Sequence, residues 1–263
     1  MDNHSLHTLS QSLGTLSVQE EKRKDSIHFR KEFIRSLLHE NPLQPIFNID
    51  DEATDNFAGT KFANGASSSV TTEASTDVRH VLNKQRKDFN DVIMKMGGKL
   101  TYVKSGATGH TFKGSINIVD PKTKKVEEYN FAVKVVAYLR THRECYGNIY
   151  NIKRPENAEV MMIKLLSYFV IKGYTPHIAL PIGTFNTNIK QFAELIEGNY
   201  VSRNEEKYKM FVDNYKAGKY HNDVSVLLSE WANRGDLLDY LKGKYKKLTL
   251  MHWKAIFFQI IST

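Results

Sequence analysis

Lys134 ends the apolar run FAVK (131–134) and stands 25 residues after Gly109, the second glycine of the turn VKSGATGHTFKG (103–114). Gly106 and Gly109 lack a Cβ, so their amides can approach an anion closely and can take positive φ. Strand periodicity places Ala132 and Lys134 on one face and Val133 and Val135 on the other. A lysine facing Ala under such a turn reaches the α- and β-phosphates of a nucleotide as a point charge. The turn is not a Walker loop, because no Gly-Lys-Ser/Thr follows and the next element reads as strand. The lysine needs a carboxylate to hold it. Glu159, at the edge of the apolar helix face in NAEVMMIKLL, is the first candidate. Glu156 is the fallback, although its place in the first helical turn also suits the helix dipole. A third piece is LLSEWANRGDLLDYL (227–241), where an apolar strand passes through a polar, glycine-bearing linker into a helix. Backbone groups there can pair with a purine edge. Asp236 can accept from a ribose hydroxyl or cap the helix.

The elements that must position these groups follow from local pattern. Residues 77–96 read as one helix with Val81, Leu82, Phe89, Ile93 and Met94 apolar, ended by Gly97 and Gly98. Strand signals follow at 100–103, 110–119 and 126–139, separated by turn residues that include DPKTKK. Short turns favour an antiparallel meander. Pro155 suits a first helical position, AEVMMIKLLSYFVIK carries a broad apolar face, and Gly173 closes that helix. Two more strands are expected at 177–185 and 223–231. Between them the polar stretch 186–222 carries a helix around 189–216. A short helix and the start of a longer one complete the chain. Upstream, residues 1–18 read as disordered, 19–40 as an amphipathic helix that packs on the main domain or else meets a partner or a membrane surface, and 50–76 as a flexible linker.

Bulk properties narrow the function classes. With 263 residues, 41% of them hydrophobic, the chain can bury a sizeable core. Net charge is +8 but uneven: residues 1–75 carry 7 Lys/Arg against 11 Asp/Glu, leaving 30 against 18 in the rest. That excess suits nucleotide phosphate, acidic protein or nucleic acid. No Arg-rich arm or aromatic-basic interleaving appears, so nucleic acid is not the expected partner. The single cysteine, Cys145, excludes an internal disulfide framework and a cysteine-rich zinc site. No signal-peptide run and no apolar stretch of about 18 residues is present, so a cytoplasmic setting without a membrane span is expected.

The ordered region, roughly 98–263, resembles the N-terminal lobe of eukaryotic-type Ser/Thr protein kinases. VKSGATGHTFKG looks like that family's glycine loop, with Gly106 and Gly109 at its second and third glycines. Lys104 replaces the first glycine, Thr108 the aromatic tip and Thr111 the valine over the adenine. FAVK resembles the V-A-I-K strand. The resemblance implies that Ala132 contacts adenine, Lys134 binds phosphate and Glu159 pairs with Lys134. It also implies that residues 106–109, Ala107 and Thr108 included, cover the triphosphate. Ser229 falls at the gatekeeper position, Glu230 and Ala232 offer backbone groups to adenine, and Asp236 contacts ribose. Lys/Asn-rich insertions of this kind look similar to divergent kinases of large DNA viruses.

The fold expected is α+β: a kinase-like N-lobe over 77–230, with a five-stranded antiparallel sheet, one principal helix and an insertion at 186–222. Residues 1–76 form an arm, and 231–263 a hinge and the start of an incomplete helical C-lobe. The expected activity is transfer of the ATP γ-phosphoryl group to protein Ser/Thr. ATP and Mg²⁺ are the implied cofactors and a protein is the implied substrate. The family's catalytic loop and metal-binding aspartate should lie beyond Thr263, so the chain as given is expected to be inactive and to hold no metal ligand. A catalytically inactive scaffold module is the alternative.

Overall fold

The structure is a computed structural model that describes residues 26–39, 41–47, 49, 76–96, 99–119, 124, 126–232 and 237–261. The expected disordered arm (1–18), the linker before Thr76, Gly97, Gly98 and Asp236 lie outside the described residues, as does most of the DPKTKK turn.

The architecture is mixed α and β, built on one sheet. Its strands are β1 (Gln85–Arg86), β2 (Lys99–Ser105), β3 (His110–Val119), β4 (Val126–Leu139), β5 (Pro181–Asn188) and β6 (Tyr220–Glu230). They lie in the order β1-β5-β6-β4-β3-β2. The sheet therefore has six strands, not five, and it is mixed: β1 runs parallel to β5 while every other pairing is antiparallel. The extra strand comes from the segment that reads as a single helix. Residues 77–96 form α2 (Val78–Val81), β1 and α3 (Phe89–Lys95) instead. Asn83 takes φ +53° and breaks the helix. The chain then runs extended, and Lys87 N–H continues the edge by donating to Asn186 O at 2.9 Å.

Register divides the sheet into two faces. Phe112, Phe131, Val133, Val135, Val226, Leu228 and Phe185 share one face. Thr111, Ala132, Lys134, Leu227 and Ser229 share the other. The first face is thickly covered. Helix α1 (Ile27–Leu38) starts at Ser26, whose hydroxyl accepts from Phe29 N–H. It buries Phe33, Ile34 and Leu37, and Phe33 stacks on Tyr129. Of the segment expected as an amphipathic helix, 19–40, residues 27–38 are helical and packed here, while 19–25 and 40 lie outside the described residues. Residues 41–47 cross β5 at Gly183, where a Cβ would meet Leu43 at 2.5 Å. The insertion is broken rather than continuous, as α6 (Lys190–Ala193) and α7 (Glu206–Lys216). Phe192 of α6 packs on Phe89 and Phe112, and Tyr208 of α7 on Tyr102 and Phe112.

The second face carries the principal helix, α5 (Pro155–Ile171), with Pro155 at its start and Gly173 at φ +75° past its end. Short α4 (His142–Tyr146) precedes it; α8 (Leu237–Lys244) and α9 (Leu250–Ile261) follow β6. A buried polar network locks α5 in place. Lys84 Nζ, fully buried, donates to Asn157 Oδ1 at 2.7 Å and Ser225 Oγ at 2.6 Å. Tyr138 Oη donates to Asn186 Oδ1 at 2.8 Å, and Lys164 Nζ to Val81 O at 2.6 Å. Burial lowers Lys84 to about 7, which lightens the charge that must be held there. Stranded at such a depth without these partners, the amine would cost several kcal/mol.

Candidate active site

The structure brings together the lysine and the glutamate that the sequence pairs. Lys134, near the middle of β4, points to the α5 face, and its Nζ lies 2.5 Å from Glu159 Oε1. The two side chains are 27% and 37% exposed, so the pair sits in an open cleft rather than in the core. Thr111 is the register partner of Lys134, and Ala132 that of Ser229. These four side chains therefore line one strip of sheet. Glu156, the fallback partner, is placed elsewhere. It is buried, with its carboxylate 3.4 Å from Arg154 Nε and 3.4 Å from His142 Nδ1.

The glycine turn joins β2 to β3 and is closed by Gly106 N–H donating to Gly109 O at 2.8 Å. Neither glycine uses the positive φ open to it. Gly109 is needed for another reason: a Cβ there would meet Val135 O at 2.4 Å, so the turn lies directly on β4. At Gly106 a Cβ would meet only Gly109 O, at 3.7 Å, which leaves space over the turn. A cavity of about 510 Å³ opens between this turn, the start of α5 and the insertion helix α7. Its lining includes Gly106 to Gly109, Glu159, Lys207 and Met210, but not Lys134 or Ala132. It marks the turn-and-glutamate end of the cleft.

The turn is braced from its far side, which the sequence did not signal. His110 is buried between Tyr208 and Phe211, with ring centroids 4.7 and 4.6 Å away. Its Nδ1 is 2.6 Å from Ser105 Oγ, which is 2.8 Å from Tyr102 Oη, and Tyr102 donates to Glu205 Oε2 at 3.2 Å. One donor direction satisfies the chain: neutral His110 to Ser105, Ser105 to Tyr102, Tyr102 to Glu205. Burial pulls His110 down to about 4. Folding therefore favours its neutral form, and the unfolded chain binds the extra proton between about pH 6.5 and 4. Stability from this group is complete above pH 6.5 and is lost on acidification through that window. The parent's melting temperature should fall there, and His110→Phe should flatten that acid limb by about 2–3 kcal/mol. An identical acid limb in both proteins would contradict the assignment.

The base-side candidates are partly placed. Glu230 ends β6 and Ala232 is exposed in the connection to α8, while Asp236 is outside the described residues. Glu230 turns its carboxylate away from the strip of Ala132 and Lys134, because its register partner is Phe131 on the opposite face. Only its backbone remains for the cleft. Among the described residues no three or more His, Cys, Asp or Glu converge to hold a metal ion. No helix among them is long and apolar enough to cross a membrane.

Against curated proteins, the chain is 36% identical over 254 residues to a protein of Acanthamoeba polyphaga mimivirus named "Putative serine/threonine-protein kinase R400". This chain is a relative of that mimivirus protein. The alignment to that protein covers 96% of the chain. The chain spans 48% of that protein, about half its length. No family model matches the chain, and no solved structure matches it.

Proposed function

We propose that this chain is the nucleotide-binding lobe of a divergent Ser/Thr protein kinase of viral type, and that it binds ATP through the strip described above. The observation that carries the reading is the 2.5 Å Lys134–Glu159 pair, set beside a glycine turn that rests on the lysine's own strand. Lys134 orients the α- and β-phosphates, and Glu159 holds the ammonium in reach of them. The amides of the Gly106–Gly109 turn cover the triphosphate. Thr111 and Ala132 pack on the base, with Ser229 beside them. Backbone groups of Glu230 and Ala232 pair with its edge, and Asp236 serves the ribose.

The γ-phosphoryl group of ATP is what a protein Ser/Thr hydroxyl would accept. Transfer also requires a carboxylate near that hydroxyl and another on Mg²⁺. No described residue is assigned to either role, so transfer is proposed for a protein that joins this lobe to those groups. Calorimetric titration of the chain with ATP tests the reading. Saturable 1:1 binding that competes with ADP is expected. Absence of binding would overturn it and favour the scaffold alternative.

A further inference from the structure

Arg30 lies on α1, outside the sheet and 200 residues from Glu230, yet its guanidinium holds the end of β6. Nε donates to Glu230 Oε1 at 2.8 Å and Nη2 to Glu230 Oε2 at 2.6 Å. Nη1 donates to Pro176 O at 2.9 Å, and Nη2 again to Ile178 O at 2.5 Å. Glu230 Oε2 also accepts from Leu180 N–H at 2.6 Å, while Glu230 N–H donates to Leu180 O at 3.0 Å. Arg30 is 12% and Glu230 15% exposed. One planar fork thus fastens the α5–β5 connection and the last residue of β6 to a helix that neither adjoins in sequence. A lysine has no such fork and could satisfy only part of this set.

The placement matters because the next peptides, at Trp231 and Ala232, begin the connection to α8. We infer that Arg30 is a positioning residue for purine recognition: it fixes the height and tilt of the C-terminal end of β6, whose backbone meets the base. The inference rests on the proposed function and deepens it. Arg30 touches no nucleotide. It acts through Glu230, whose side chain is wholly committed to the far face. The phosphate end of the strip, at Lys134 and the glycine turn, stands on other supports, namely α5 and α7. Base recognition and phosphate recognition should therefore separate on substitution.

The experiment compares the whole chain with its Arg30→Lys variant, titrating each with ATP, GTP and inorganic tripolyphosphate and recording its thermal melt. Arg30→Lys should weaken ATP about tenfold, narrow any preference for ATP over GTP, and leave tripolyphosphate within about twofold. Equal weakening of ATP and tripolyphosphate would show a pin for the fold alone and overturn the inference. So would unchanged affinity for both. A parent chain that binds tripolyphosphate but no ATP would overturn the base-binding reading as well. Should Arg30→Lys fail to fold, Glu230→Gln keeps side-chain length and the acceptor for Leu180 N–H, and it should show the same separation. Its failure to separate the two ligands would count equally against the inference.

Discussion

Lys134→Met should weaken ATP binding about a hundredfold while moving the melting temperature by no more than about 2–4 °C. The two effects differ because the pair makes two unequal contributions. Its exposure of 27% and 37% means that water competes for both charges, so the pair adds only about 0–1 kcal/mol to folding. Methionine keeps the apolar stem against the sheet. A bound triphosphate changes the balance. It displaces water from the ammonium, and its negative charges lose the counter-ion that Glu159 holds in place once the lysine is gone. In a longer protein that carries the transfer machinery, the same substitution should abolish phosphotransfer. Calorimetry and a melt on the same samples check both halves. An ATP affinity left unchanged would remove Lys134 from the site.

The two glutamates of α5 should separate in opposite directions. Glu156→Gln should destabilise the fold by about 2–3 kcal/mol, or roughly 4–12 °C, with little change in nucleotide affinity. Its carboxylate is buried beside Arg154, which is itself fully buried. Without that charge the guanidinium keeps the carbonyls of Gly147 and Leu139 and the face of Tyr138, none of them an anion. Glu159→Gln should leave the melt nearly unchanged and weaken ATP about tenfold, because Lys134 loses the anion that holds it extended. Paired melts and ATP titrations of both variants decide the matter. The reverse pattern would move the tethering role to Glu156.

The site was legible where its geometry is local. The limits of β3 and β4 match the sequence reading residue for residue, because clear turn residues bound alternating apolar strands. Lys134 and Glu159 meet because one strand and the next long helix pack in the order they are made. The edge was not legible. β1 has two residues, too few for a period, and it sits inside apolar spacing that suits a helix. What breaks that helix is tertiary: Lys84 leaves it to reach Asn157 and Ser225. The insertion helix failed for a related reason. Val201, which lies between the two short helices, is itself buried, so the chain turns inward where its polar composition reads as one solvent-facing helix. Arg30 gave no signal beyond its place on an amphipathic helix, since its partner is at the other end of the domain. His110 read only as the first residue of a strand, and its aromatic cage comes from a helix about a hundred residues on.

The most direct measurement is labelling with an acyl phosphate of ATP, followed by peptide mapping. A lysine amine held at the phosphates attacks the acyl carbonyl, forming an amide and releasing ATP. The account predicts acylation at Lys134, suppressed by excess free ATP and reduced in Glu159→Gln. Label scattered over Lys104, Lys113 and Lys207 without protection by ATP, with Lys134 unmodified, would contradict it.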